Sequence, residues 1–198
     1  MSRKDMNFLL VGVGGQGTLL ASKVLAYVGV RAGFDVKKAE VHGMAQRGGS
    51  VSSHVRWGEE VKSPLIGLGE VDYLVAFEKL EALRYVPMLR PHGTAIVGDM
   101  RIPPLSVSSG GDVYPDDEEM RRILRGVTDD FHFISSIGLA KEVGDTRTHN
   151  MVMLGALSSF IRQVVPEIWL EMIAQRVPIE FIEVNQRAFQ MGRAFDSA

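Results

Sequence analysis

The chain has 198 residues, 22 Lys+Arg against 24 Asp+Glu, 21 Gly, 8 Pro and no Cys, for a formal net charge of −2. One domain over residues 1–198 is expected at this length, and 45% hydrophobic with 23% charged residues is ordinary globular composition. The near-neutral charge offers no basic footprint for nucleic acid or an anionic membrane; the absence of Cys excludes disulfides, thiol nucleophiles, Cys-ligated zinc and iron–sulfur clusters held by this chain alone.

The first residues do not have the long apolar region and small-residue cleavage site of a secretory signal. No stretch approaches the ~20 apolar residues of a spanning helix. The expectation is a soluble, cytoplasmic chain. Phe8-Leu9-Leu10-Val11 is a short apolar run ending in glycines, which predicts a strand buried on both faces. Thr18 to Val30 carries Leu20, Val24, Ala26-Tyr27 and Val30 at helical spacing, Gly33 fits a C-cap, and Phe34 to Val41 reads as a second strand. That order is a βαβ unit. Ser50 to Trp57 alternates, Gly58-Glu59-Glu60 turns, and Val61 to Ile66 returns, predicting a β-hairpin inserted into the α/β order.

Tyr73 to Phe77 is a further buried strand and Leu80 to Leu89 a helix. Pro91-His92-Gly93 turns the chain into a strand over Thr94 to Val97, and Ile102 to Pro115 is an irregular excursion. Asp116 then caps a helix through Leu124, with Glu119 at the capping-box position. Phe131 to Ile134 is the last strand. From Asn150 the chain reads as helical: Met151 to Val164, apolar on nearly all sides, then Pro166 to Arg176 and Ile179 to Phe195, each opened by a proline. The expected fold is an open, mostly parallel, Rossmann-like α/β sheet with an inserted hairpin and a helical C-terminal portion.

Gly12-Val13-Gly14-Gly15-Gln16-Gly17 has G-x-G-x-x-G spacing between a strand and a helix. Such a turn presents backbone N–H groups and a helix dipole to an anion, and Glu40 at the end of the second strand supplies an acid for a ribose. A tight turn without a ligand satisfies the same spacing. Gln16-Gly17-Thr18 is an unusual filling, and no separate substrate domain accompanies it.

This segment resembles the opening motif of the gamma-type subunit of 2-oxoacid:ferredoxin oxidoreductases. Glu40-Val41-His42-Gly43-Met44-Ala45-Gln46-Arg47-Gly48-Gly49-Ser50-Val51 resembles the family's second motif. With Ser63-Pro64-Leu65-Ile66, the sequence is most similar to the small subunits of the indolepyruvate branch. Agreement continues through Phe77-Glu78-Lys79-Leu80-Glu81-Ala82-Leu83-Arg84 and Asn150-Met151-Val152-Met153-Leu154-Gly155-Ala156, and weakens between about Ser106 and Asp130.

The resemblance implies a complex in which a larger alpha subunit holds thiamine diphosphate and [4Fe–4S] clusters. There an arylpyruvate is oxidatively decarboxylated, the acyl group passes to coenzyme A, and electrons pass to ferredoxin. This chain would be the non-redox subunit, inactive alone and holding no demonstrable cofactor itself. Its five His show no metal-ligand spacing, so no metal site is expected. Arg47, in a glycine-flanked loop, suits a carboxylate or pyrophosphate, and His42 suits proton transfer or the same anion. A surface arginine pairing with Glu40, and a structural histidine, are their plainer alternatives. Gly12, Gly14, Gly15, Gln16 and Gly17 with Gln46, Gly48 and Gly49 form the candidate cofactor, anion or interface loops. His149 and Asn150 are read as caps of a buried helix.

Three readings follow. The first is the non-redox subunit just described, or the gamma subunit of a pyruvate, 2-oxoisovalerate or 2-oxoglutarate enzyme. The others are a free-standing NAD- or FAD-binding oxidoreductase and a purely structural assembly subunit. Homodimerisation in isolation is a further expectation, because a face made for a partner exposes apolar surface.

Overall fold

The computed structural model describes residues 5–42 and 49–195. Six strands form one sheet: β1 (Met6–Val13), β2 (Asp35–His42), β3 (Ser50–Gly58), β4 (Val71–Ala76), β5 (Leu89–Gly98) and β6 (Phe131–Ile134), in the order β2-β3-β1-β4-β5-β6. The pairs β1–β4, β4–β5 and β5–β6 are parallel; β3 runs antiparallel to both β1 and β2. The helices are α1 (Thr18–Arg31), α2 (Lys79–Tyr85), α3 (Leu105–Ser108), α4 (Asp117–Arg125), α5 (Ser136–Val143), α6 (His149–Phe160), α7 (Pro166–Ala174) and α8 (Ile182–Arg193).

Side chains alternate across the strands and so build two cores. Phe8, Leu10, Val55, Trp57, Val75 and Ile96 face α1, α5, α6, α7 and α8, whereas Leu9, Val11, Leu74, Ala76 and Val97 face α2 and α4. Trp57 anchors the larger core, with its ring 4.8 Å from Phe8, 5.4 Å from Phe34 and 6.3 Å from Trp169. Residues 8–11 are fully buried because both faces are covered, which is why β1 reads as a continuous apolar run.

The antiparallel insertion expected after the second strand is present, but its partners differ. Val61 to Ile66 is not a return strand. Pro64 removes a ladder donor from that run, and β3 side chains hold it instead: Arg56 Nη1 donates to the carbonyls of Ser63 and Leu65 (both 3.2 Å), and His54 Nδ1 accepts from Ile66 N–H at 3.3 Å. β3 therefore pairs with β2 and β1 and separates the two strands of the expected βαβ unit. The helix expected over Leu80 to Leu89 stops at Tyr85, because Pro87 starts a 3-10 turn (Val86–Met88) and Leu89 already belongs to β5. The turn expected at Pro91-His92-Gly93 is a bulge within β5, where the register with β4 shifts and His92 takes φ 61°. Sequence reading missed α5 and the short α3; α6 begins two residues earlier than expected, at His149, and ends at Phe160.

Candidate functional site

The carboxyl ends of β1, β4, β5 and β6 lie along one edge of the sheet, and antiparallel β3 begins at the same edge, with Ser50 opposite Val13. Ligands bind open α/β sheets at this edge. The glycine loop closes around Gln16. Its Oε1 accepts from Val13 N–H (2.6 Å), while its Nε2 donates to the Phe77 carbonyl and lies 3.2 Å from Met100 Sδ. Gly14 N–H donates to the Gly49 carbonyl at 2.9 Å, and Gln16 N–H to the Val13 carbonyl at 3.2 Å. Gly17 turns left-handed (φ 75°) at the N-cap of α1, and its carbonyl accepts from Ala21 N–H and from Asn150 Nδ2.

Carboxylates organise the neighbouring strand ends. Glu78, just past β4, is buried and accepts from Glu81 N–H (3.0 Å), Ile102 N–H (2.9 Å) and the Tyr114 hydroxyl, so it caps α2 and ties down the excursion after β5. Burial, together with the Glu78 carboxylate, pushes the Tyr114 hydroxyl well above its ordinary value, and the Arg101 guanidinium lies 4.2 Å over the Tyr114 ring. Glu81 is buried beside Ser50, whose hydroxyl donates to it, and Arg84 lies 3.3 Å away. Burial raises the Glu81 carboxyl, against the pull of Ser50 and Arg84 and with that of Glu78. Past β5, Asp99 accepts from the hydroxyls of Ser135 (3.1 Å) and Ser136 (3.0 Å) and from Ile137 N–H (3.2 Å).

His149 opens α6 among these strand ends, its ring edge-on to Phe77 at 6.1 Å. Burial lowers its pKa from the ordinary histidine value, opposed by the charge of Asp99 and by a hydrogen bond to the Gln16 backbone. Its Nδ1 finds no hydrogen-bond partner among the described residues, nor does Thr18 Oγ1 in the first turn of α1.

The structure thus brings Gly12, Gly14, Gly15, Gln16, Gly17 and Gly49 together. His42 ends β2 opposite Val51; its side chain, with Gln46, Arg47 and Gly48, lies outside the described residues. Glu40, exposed on edge strand β2, pairs with Lys38. Of the two expected caps, His149 is the first residue of α6, whereas the Asn150 Oδ1 accepts from the first-turn Met151 N–H at 2.9 Å. The N-cap of α6 is Thr148, and Asn150 reaches back to the glycine loop. Asp99, Glu81 and Tyr114 were not singled out by sequence as site residues; a buried Glu-x-x-Glu following an apolar strand was the one available signal. Among the described residues no group of three His, Cys, Asp or Glu is placed to hold a metal ion, and no helix is long and apolar enough to cross a membrane.

Residues 7–195 match the family model described as pyruvate ferredoxin/flavodoxin oxidoreductase. The chain is 40% identical over 191 residues to the indolepyruvate oxidoreductase subunit IorB of Thermococcus kodakarensis, covering 96% of this chain and 95% of the relative. It is 31% identical over 195 residues to the 2-oxoglutarate synthase subunit KorC of Methanothermobacter marburgensis, covering 96% and 95%. Among solved structures it resembles the gamma subunit of a keto/oxoacid ferredoxin oxidoreductase from Geobacter sulfurreducens, with TM-score 0.69, 25% identity and coverage of 94% and 95%.

Proposed function

Because this chain belongs to the pyruvate ferredoxin/flavodoxin oxidoreductase family, we propose that it is the small, non-redox subunit of a cytoplasmic complex that oxidatively decarboxylates arylpyruvates such as indolepyruvate to acyl-CoA, with ferredoxin as electron acceptor. The observation that carries this reading is the near end-to-end match, at 40% identity, to a subunit of an indolepyruvate oxidoreductase. The relative from a 2-oxoglutarate synthase, at 31%, keeps a 2-oxoglutarate enzyme as the second reading.

The residues present do not fit the redox groups of such a complex. A chain without Cys has no thiolate for a [4Fe–4S] cluster, and the described residues offer no carboxylate or histidine triad for the divalent ion that accompanies thiamine diphosphate. On this reading both groups belong to the larger alpha subunit, and this chain contributes binding and shape. His42, Gln46 and Arg47, with Gly48 and Gly49, would face that partner and help close the pocket for thiamine diphosphate or coenzyme A. There a guanidinium serves as a bidentate anion clamp and an imidazole as a hydrogen-bond donor or proton carrier.

The test is co-expression with the large subunit and an assay of dye reduction dependent on an oxoacid and coenzyme A. Indolepyruvate or phenylpyruvate should be the preferred substrate, and preference for 2-oxoglutarate would establish the second reading. In the same complex Arg47→Ala should raise KM for coenzyme A or the oxoacid. Lost association with unaltered kinetics in the residual complex would leave this chain a purely structural role.

A further inference from the structure

The turn from β1 to α1 has the glycine spacing of a dinucleotide site, yet three of its N–H groups are spent on its own chain. A pyrophosphate-binding loop works by aiming unpaired backbone N–H groups at the ligand and leaving space above its second glycine. Here the N–H groups of Val13, Gly14 and Gln16 already donate to Gln16 Oε1, the Gly49 carbonyl and the Val13 carbonyl. The orientation of the Gln16 amide is fixed by its neighbours' chemistry, because Val13 N–H can only donate and the Phe77 carbonyl can only accept.

Gln16 is 5% exposed. Swinging it outward would strand a donor at Val13 and an acceptor at Phe77, both buried, and such groups are costly to leave unpaired. Gly12 has a matching role: a methyl group there would lie 2.6 Å from Gln16 Oε1 and 3.0 Å from Thr18 Oγ1. The first glycine thus makes room for the glutamine. From the other side Ser50, the first residue of β3, is gripped by the Glu81 carboxyl and lies 3.3 Å from the Tyr85 hydroxyl.

We propose that Gln16 is the built-in ligand of the glycine loop, closing it to dinucleotide pyrophosphates and turning it into the clamp that positions the start of β3 at the functional edge. The loop is then a junction between β1, β3, β4 and the chain after β5. This inference is independent of the oxidoreductase assignment, since its test uses the isolated chain.

Amide hydrogen exchange by NMR should be compared in the wild type, Gln16→Ala and Gln16→Met. Each protein is also titrated calorimetrically with NAD+ and with inorganic pyrophosphate. The expected wild-type result is no binding of either probe. In Gln16→Ala the Val13 and Gly14 amides should exchange about tenfold faster or more, the equivalent of one net hydrogen bond, while amides in α6 and α8 keep their protection. Gln16→Met fills the same space without hydrogen-bonding capacity and should exchange equally fast. Wild-type protection in the methionine variant would reduce Gln16 to packing and overturn the clamp. Binding of NAD+ to the wild type, with shifts confined to residues 13–17, would overturn the closure.

Discussion

A single methyl group at the crossing of α6 and α8 tests whether the helical layer is fixed by backbone contact. A Cβ on Gly155 would lie 2.0 Å from the Phe189 carbonyl oxygen and 2.8 Å from Arg193 N; a Cβ on the facing Gly192 would lie 1.9 Å from the Val152 carbonyl oxygen. These are backbone atoms, which cannot rotate aside, so Gly155→Ala must push α8 away by ~1 Å or more to reach ordinary contact distance. That shift stretches the bonds from Arg193 Nη1 to the Ser158 carbonyl (2.7 Å) and hydroxyl (2.9 Å) and loosens the Trp169–Phe189 stack, at 5.8 Å. Overpacking costs about 1–3 kcal/mol. Weakened charged hydrogen bonds cost about 1.5–3 kcal/mol, and the better helix propensity of alanine returns about 1 kcal/mol. The net is a destabilisation of about 1.5–5 kcal/mol, a fall in Tm of the order of 10 °C for a chain of this size. Urea and thermal unfolding of Gly155→Ala measure it directly. Propensity alone predicts the opposite sign, so a variant as stable as the wild type, or more so, refutes backbone-to-backbone packing here.

Burial holds His54 and His149 below the ordinary histidine value of 6.5, so the unfolded chain binds protons that the folded chain refuses. Their contribution to stability therefore rises as pH climbs through the window just below 6.5, whereas the raised Glu81 carboxyl works in the opposite sense above 4.5. Urea midpoints at about pH 5 and pH 7.5 should show a smaller gain with pH in His149→Phe than in the wild type; an identical gain would mean that this imidazole titrates normally. Asp99→Ala removes the acceptor shared by two hydroxyls and an α5 amide, and should cost about 1–2 kcal/mol by chemical denaturation; no change would show that solvent replaces it. Tyr114→Phe leaves Leu80 N–H without its hydroxyl acceptor and Glu78 with one donor fewer. A loss of about 1–3 kcal/mol is expected, with faster exchange of the Ile102 amide; unaltered exchange there would dissociate the tyrosine from the excursion.

What could be read from sequence was what local pattern determines. β1 announces itself because four consecutive apolar residues are needed where both sheet faces are covered. The start of α4 is legible because its cap is local: Asp116 accepts from Glu119 N–H at 2.8 Å, three residues away. Val61 to Ile66 looked like a strand because its loop conformation is imposed by His54 and Arg56, which local alternation does not register. α5 escaped because it is eight residues long with Gly138 inside it and is held by Asp99, more than thirty positions earlier. At the functional edge the glycines were visible as spacing, but the partnership of Gln16 with Phe77 and Met100 spans 61 and 84 positions. The same holds for Asp99 beside His149, where nothing in either segment names the other.

The strand order also has a consequence for synthesis. Among the described residues β2 has β3 as its only neighbour, and β3 separates it from β1. A nascent chain that has emerged only through residue 42 holds two strands that do not pair with each other, joined by a helix whose apolar face awaits Trp57 and Trp169. The three-strand unit is complete only after residue 58 has left the ribosome, with β3 arriving last and taking the place between β2 and β1. Until that moment β1, among the most apolar segments of the chain, has no ladder partner on either side. Through the translation of about the first sixty residues β1 is therefore an apolar strand with both edges unpaired, the condition under which strands associate wrongly.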